Sequence, residues 1–314
     1  MNIEADNIFS SEEKKQDLYY NEIWPEIDPL QLRVEQDGKI IKLQTYRHPV
    51  SDRSKLKGVV FYIHGYGGYC EHMEYMFKHF ANAGYDAYAM DQRGFGRSEG
   101  LRSWIESQET MYSDLYLFIF AAIQKYKINL QKTPLFLLGK SFGGLLSFNI
   151  SSKMPTLIRG MALVVPFFKQ FGDSLYRYEW LFRSLDYINP KQNIKMKSKV
   201  DTTSPYYQKY KHYFTDPYPT NDTRSRTLLI FIKEQEEAFK AVKEGRNQTP
   251  IVFVLAGKDD VVRNSTTKEI YSDINNAKSK IIEYPDADHS TITIDEDISK
   301  KMAFEIILYF DSLL

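Results

Sequence analysis

Leu135-Phe136-Leu137-Leu138-Gly139-Lys140-Ser141-Phe142-Gly143-Gly144 decides the fold of this chain. The apolar run at its start reads as a strand buried on both faces, as strands of a parallel sheet are. It runs directly into G-x-S-x-G, and Leu145 to Met154 continues as a helix. In that strand–turn–helix setting the turn is sharp, and the central serine is lifted clear of the sheet in a strained conformation. Its flanks must be small, which Gly139 and Gly143 satisfy. The Phe142 amide then falls at a helix N-terminus, where unpaired N–H groups and the helix dipole favour an anion. A glycine-rich turn of this kind can also bind phosphate, so a nucleophilic reading of Ser141 needs partners elsewhere in the chain.

Working outward, the same rhythm repeats. Gly58-Val59-Val60-Phe61-Tyr62-Ile63 is an unbroken apolar run ending in His64-Gly65-Tyr66-Gly67-Gly68. A helix is predicted from Glu71 to Ala83, and a strand over Tyr85-Asp86-Ala87-Tyr88-Ala89-Met90. A helix around Gln108 to Lys127 precedes the Leu135 strand. Met161-Ala162-Leu163-Val164-Val165, Ile251-Val252-Phe253-Val254-Leu255 and Lys280-Ile281-Ile282-Glu283-Tyr284 supply further strands, and Ile298 to Leu314 closes the chain as a helix. Strands alternating with helices define an α/β fold with a mostly parallel sheet. Upstream, two alternating segments around Asp37-Gly38 read as a hairpin. Residues 1–28 read as a polar arm, and residues 29–166 with 246–314 as the core. Residues 167–245 are too long for a crossover and are aromatic and basic, as in Tyr206-Tyr207-Gln208-Lys209-Tyr210-Lys211-His212-Tyr213-Phe214. They are expected to form a cap over the carboxyl edge of the sheet.

A serine hydroxyl is a weak nucleophile until a base takes its proton. Of the six histidines, His289 follows the last strand, which places it on the same sheet edge as Ser141. A carboxylate is expected on the loop after the preceding strand, where Asp259 and Asp260 both stand. The chain order Ser…Asp…His is the one this kind of sheet uses. The loop after Ile63 is the source expected for a second oxyanion donor, the Tyr66 amide, with His64 and Gly65 holding the loop.

Composition bounds the partners. Lysine and arginine total 41 and aspartate and glutamate 41, so the formal charge is zero and nothing calls for nucleic acid or an anionic surface. Cys70 is the single cysteine, which excludes an intrachain disulfide and fits a reducing compartment. No run approaches the ~20 apolar residues of a membrane span. The acidic start Met1-Asn2-Ile3-Glu4-Ala5-Asp6 resembles neither a signal nor a transit peptide, so a cytoplasmic protein is expected and the glycosylation sequons are read as chance. No metal-ligand spacing stands out, and no metal or organic cofactor is expected.

His64-Gly-Tyr-Gly-Gly, Asp91-Gln-Arg-Gly-Phe-Gly-Arg-Ser-Glu-Gly100, Gly139-Lys-Ser-Phe-Gly-Gly144, Gly257-Lys-Asp-Asp260 and His289 occur in one order and spacing. In this the chain, over residues 30–314, resembles the monoglyceride lipase and lysophospholipase-like (serine aminopeptidase S33-type) branch of the α/β-hydrolase superfamily. The resemblance implies an eight-stranded, mostly parallel sheet flanked by helices, with a cap inserted after the strand that ends at Pro166. It also implies hydrolysis of monoacylglycerols or related single-chain lipid esters. Its G-x-x-D pattern falls on Gly257 to Asp260, so Asp260 is expected to orient His289, with Asp259 facing solvent and Asp286 and Asp288 as surface charges. The expected site is therefore Ser141, Asp260 and His289, with the Tyr66 and Phe142 amides as oxyanion donors. Two positions depart from the pattern. Phe142 stands where methionine is common, a change of little consequence because the amide is the donor. Lys140 stands where relatives carry histidine or another uncharged residue, and a buried ammonium requires a carboxylate or solvent.

Rival readings share the triad or dispense with it. An acyltransferase, a thioesterase or a peptidase would use the same three residues, and the fold also serves as a binding or structural subunit. The Trp180-Leu181-Phe182 stretch of the cap is a candidate for peripheral membrane contact.

Overall fold

A computed structural model of the protein describes residues 24–195, 203, 208–209, 222–274 and 276–314. In chain order its strands are β1 (Glu26–Ile27), β2 (Leu32–Gln36), β3 (Lys39–Leu43), β4 (Thr45–His48), β5 (Gly58–Ile63), β6 (Tyr85–Met90), β7 (Leu135–Lys140), β8 (Ile158–Val164), β9 (Asn193–Lys195), β10 (Asp222–Arg224), β11 (Ile251–Ala256) and β12 (Lys280–Tyr284). Eight of these make one sheet in the order β1-β4-β6-β5-β7-β8-β11-β12. Only its first two pairings are antiparallel; from β6 to β12 every neighbour runs parallel. This is the eight-stranded, mostly parallel sheet expected. Parallel strands are covered on both faces, and β5, β6 and β11 are accordingly buried along their whole length.

The helices are α1 (Glu74–Asn82), α2 (Gln108–Lys125), α3 (Phe142–Lys153), α4 (Ser174–Arg177), α5 (Glu179–Ile188), α6 (Ser225–Lys243), α7 (Asn264–Ile274), α8 (Thr291–Ile294) and α9 (Glu296–Asp311), of which α1, α3 and α7 pack directly on the strands of the sheet. The boundaries follow local chemistry. The Ser107 hydroxyl accepts the Thr110 amide at 3.1 Å and so caps α2. Asp295 caps α9 through the amides of Asp297 and Ile298. The Asp37-Gly38 turn has positive φ at both residues, 50° and 77°, the requirement of the tight β2–β3 hairpin.

The amino-terminal reading needs correction. The polar arm does not extend to residue 28, because Trp24 is buried against Tyr46 and Phe77, at centroid distances of 5.2 and 4.3 Å, and β1 pairs with β4. One large aromatic side chain outweighs the polarity of its neighbours there. The strand β4 itself went unpredicted, because its sequence Thr45-Tyr46-Arg47-His48 carries no apolar run. Arg47 is accommodated by ion pairs to Asp86 and Glu26, both at 2.8 Å.

Between β8 and β11 the chain leaves the sheet through α4 and α5, forms the β9–β10 ribbon and returns along α6. Helix α6 packs against α3 and α5. Glu234, fully buried on α6, accepts bonds from Gln108 (2.6 Å), Tyr112 (2.5 Å) and Asn149 (2.7 Å), which fastens α6 to α2 and α3. The expected tyrosine-rich run Tyr206–Phe214 lies outside the described residues apart from 208–209. Among the described residues, no helix is long and apolar enough to cross a membrane.

Candidate active site

Because β5, β7, β8, β11 and β12 run the same way, their carboxyl ends meet at one edge, and every candidate residue lies on a segment leaving that edge. Ser141 joins β7 to α3 with φ 52° and ψ −118°, a left-handed conformation that costs a non-glycine residue energy and marks a functional turn. Its flanks explain the glycines. A side chain at Gly143 would collide with the carbonyl oxygens of Ile63 and His64, and one at Gly139 with Gly143 and Ser147. The turn therefore closes only with glycine on either side.

His289 follows β12. Its Nε2 lies 3.1 Å from Ser141 Oγ, and its Nδ1 lies 2.8 Å from Asp259 Oδ2. A carboxylate can only accept, so Nδ1 carries the proton and Nε2 is left bare to accept the serine hydroxyl. The Asp259 side chain is completely buried and that of His289 is 14% exposed.

The residue contacting His289 is thus Asp259, and the expectation of Asp260 is corrected. Asp259 Oδ1 accepts the amides of Val261 (2.9 Å) and Val262 (2.8 Å), a local turn that aims its second oxygen at the histidine. Asp260 is exposed at the next position of that turn. The loop is also tied to the histidine segment, through Gly257 N–H to Tyr284 O (2.8 Å) and Lys258 N–H to Ala287 O (2.9 Å). Asp286 is an exposed charge, as expected, paired with Lys258 at 2.9 Å. Asp288 is not merely a surface charge. Half-buried, it accepts the Ser290 and Thr291 amides at 2.8 Å and fixes the turn that carries His289.

The loop after β5 lies against the serine. A side chain at Gly65 would stand 3.1 Å from Ser141 Cβ and 3.3 Å from the Lys140 carbonyl, so glycine permits the approach. His64 is buried; its Nε2 accepts the Gln92 amide at 2.9 Å, which leaves Nδ1–H to donate to the Gly65 carbonyl at 2.8 Å. Burial, opposed by Asp91, holds its ring below the ordinary histidine value, so it stays neutral and braces the loop. The Tyr66 side chain reaches away from the serine: its hydroxyl donates to Asp222 O (3.0 Å) and Ser103 O (3.2 Å), and its ring packs edge-on against Phe95 and Phe231. Burial pushes that phenol up to about 12. Phe142 is the first residue of α3, and a helix offers its first amides no internal acceptor.

Two supporting residues escaped the sequence reading. Asp91 is buried and accepts Tyr46 Oη, the Cys70 amide and the Arg97 amide, all at 2.9 Å, which knits the β6 loop to its neighbours. Gln92, beside it, holds His64 from both sides, with its amide on Nε2 and its side chain on the His64 carbonyl (2.9 Å). Their signal in the sequence is the glycine-punctuated Asp91–Gly100 loop. Lys140 is only partly buried, and its Nζ donates to the Thr293 hydroxyl at 2.6 Å rather than bonding a carboxylate directly. Among the described residues, no group of three or more His, Cys, Asp or Glu side chains is placed to hold a metal ion.

The sheet order, the strained serine after β7 and the histidine after β12 define an α/β-hydrolase. The chain belongs to the serine aminopeptidase S33 family, whose model matches residues 54–297. It is 30% identical to mouse monoglyceride lipase over 110 residues, 35% of each chain, so the match spans about a third of that relative. It is 25% identical to caffeoylshikimate esterase of Arabidopsis thaliana over 254 residues, 77% of this chain and 74% of that one. Among solved structures, a soluble variant of Saccharomyces cerevisiae monoglyceride lipase, bound to a substrate analog, superposes with a TM-score of 0.76 at 19% identity, covering 90% of this chain and 95% of that one.

Proposed function

We propose that the protein is a serine carboxylic ester hydrolase that cleaves single-chain lipid esters, monoacylglycerols or lysophospholipids, through an acyl-enzyme. The observation that carries this reading is the continuous chain of contacts from Asp259 through His289 to Ser141. Ser141 Oγ attacks the ester carbonyl while His289 Nε2 takes its proton. Asp259 holds the ring in the productive tautomer and stabilises the imidazolium. The amides of Tyr66 and Phe142 receive the oxyanion, each worth about 3 kcal/mol of barrier. The protonated histidine then returns its proton to the departing alcohol, and a water molecule repeats the sequence to free the acid. No cofactor enters this scheme.

Similarity to a monoglyceride lipase and to caffeoylshikimate esterase supports an ester over an amide or thioester. We assign residues 167–245 to a cap that confines the substrate. Exposed Trp180 and Leu181 on α5 support peripheral contact of that cap with a lipid surface, whereas Phe182 turns inward onto the core. The protein is otherwise read as a soluble cytoplasmic enzyme. Labelling with a fluorophosphonate probe tests the central reading: wild type is labelled, and Ser141→Ala and His289→Ala are not. A folded wild type that resists the probe would refute it. Liposome flotation tests the cap, since recovery wholly in the soluble fraction excludes the contact.

A further inference from the structure

We propose that Lys140 is a positioning residue that joins the nucleophile strand to the histidine segment and, through its charge, restrains the Asp259–His289 pair. The inference rests on the triad reading above and goes beyond it, since Lys140 touches neither substrate nor reacting atoms there.

Lys140 is the last residue of β7, immediately before Ser141, and its Nζ donates to Thr293 Oγ1 at 2.6 Å. Thr293 is fully buried in α8, which begins two residues after His289, and its hydroxyl donates in turn to Ser290 O at 3.3 Å. One side chain therefore spans from the nucleophile to the turn that presents the base. The partner is a neutral hydroxyl, so the ammonium is held without a directly bonded counter-charge. Burial pushes it down to about 8, against the opposing pull of Asp259 and Asp288. The described titratable groups on surrounding elements are those two carboxylates, His289 on the same turn as Asp288, and His64 on the β5 side, which is held neutral. Beyond α8 lie Cys70, the Tyr62 phenol of β5, which burial pushes up, and Asp91, whose oxygens are taken by Tyr46, Cys70 and Arg97.

The consequence follows from signs. Catalysis makes His289 an imidazolium, which Asp259 stabilises. A charged Lys140 beside Asp259 offsets part of that negative potential and disfavours the imidazolium. Loss of the lysine proton, which occurs as pH rises through about 8, releases the restraint, so the site gains activity there. The rate then rises in two steps, the first from His289 and the second from Lys140.

The test uses the full chain with ¹³C-labelled histidine and follows the His289 ring by NMR, with His289→Ala assigning the signal. In Lys140→Met the midpoint of His289 is expected to move up by roughly one pH unit, equivalent to about tenfold in proton affinity. In Lys140→Arg, which cannot lose its charge, it stays at the wild-type value. The rate of fluorophosphonate labelling, read from pH 6 to 10, is expected to rise severalfold through the second step in wild type. It should show no second step in Lys140→Met and stay low in Lys140→Arg. A His289 midpoint unchanged in Lys140→Met overturns the proposal. If neither substituted protein folds, a wild-type profile with no second step overturns it equally. If wild type is not labelled at any pH, the hydrolase reading fails, and the NMR midpoint still decides whether Lys140 acts on His289.

Discussion

Replacing Asp259 with asparagine tests the site most severely, because the two ways the amide can sit are both costly. With its NH2 toward His289, the amide donates to Nδ1, and the ring must carry its proton on Nε2, facing Ser141 Oγ across 3.1 Å. In that tautomer the base cannot accept the serine proton, and a loss of about 10⁴ in rate follows. With its oxygen toward His289, the tautomer is kept but the NH2 faces the Val261 and Val262 amides, which now donate to Oδ1 at 2.9 and 2.8 Å. Two hydrogen bonds, one buried and one partly buried, are then replaced by donor–donor contacts, at about 1–3 kcal/mol each. The turn must open to relieve them, which withdraws the group from the ring. By either route kcat/KM on a p-nitrophenyl ester should fall by at least about 30-fold. Asp260→Asn, at an exposed position with no part in the contact chain, should stay within about twofold, as exposed substitutions do. Thermal unfolding of each protein separates loss of chemistry from loss of fold. The reasoning is refuted if Asp259→Asn is folded and keeps more than a tenth of wild-type activity, or if Asp260→Asn is the variant that fails.

Other perturbations read the remaining parts of the structure. Gly65→Ala places a methyl 3.1 Å from Ser141 Cβ and should lower kcat about tenfold or more with little change in KM, measured by steady-state kinetics, because it displaces the loop assigned to the oxyanion. Glu234→Ala removes the carboxylate from Gln108, Tyr112 and Asn149, leaving Asn149 only its bond to the residue 234 carbonyl, and should cost about 3 kcal/mol in urea unfolding, mostly through the Tyr112 hydroxyl left buried and unpaired. Phe231 packs on Phe142, Phe167 and Tyr66, the neighbours of the nucleophile, so Phe231→Ala should shift the ester chain-length profile toward longer acyl groups. Burial raises the Asp86 carboxyl, but Arg53, Arg47 and the Val50 amide outweigh it and hold the group below its ordinary value. Its stabilisation is therefore complete above the unfolded-state value near 4 and is lost as pH falls through the lower folded value, which acid unfolding of Asp86→Asn against wild type should show as a shallower loss in the variant.

The interior of the sheet was legible because parallel strands must be apolar on both faces, and the runs at β5, β7, β8 and β11 have few other readings. The edge was not. Thr45–His48 pairs with β6 although its sequence is polar, since Arg47 enters the interior with Asp86 and Glu26 and Tyr46 carries its hydroxyl to Asp91. Paired charges and capped hydroxyls allow a polar strand to be buried, and the pairing partners lie tens of residues away, where periodicity does not look. Trp24 shows the same limit at shorter range: a single anchor residue brings a polar segment into the sheet without changing its local composition.

The choice between Asp259 and Asp260 shows why counting along a motif fails where the chain turns. The strand β11 ends at Ala256, and the Asp259 amide bonds back to the Ala256 carbonyl at 3.2 Å, which curls the next residues tightly. In such a curl only the first residue of the turn can fold its side chain inward onto the amides two and three positions ahead, and the residue after it faces out. Asp259 occupies the first place and Asp260 the second. The sequence carried a usable sign in Val262, which is 1% exposed and needs its own amide satisfied in an apolar setting. In this turn Asp259, three residues before Val262, supplies that bond at 2.8 Å, and Asp260 is turned out to solvent. The acid is thereby fixed by the backbone's need for a hydrogen bond before any demand of His289, and it then has one oxygen left for the ring.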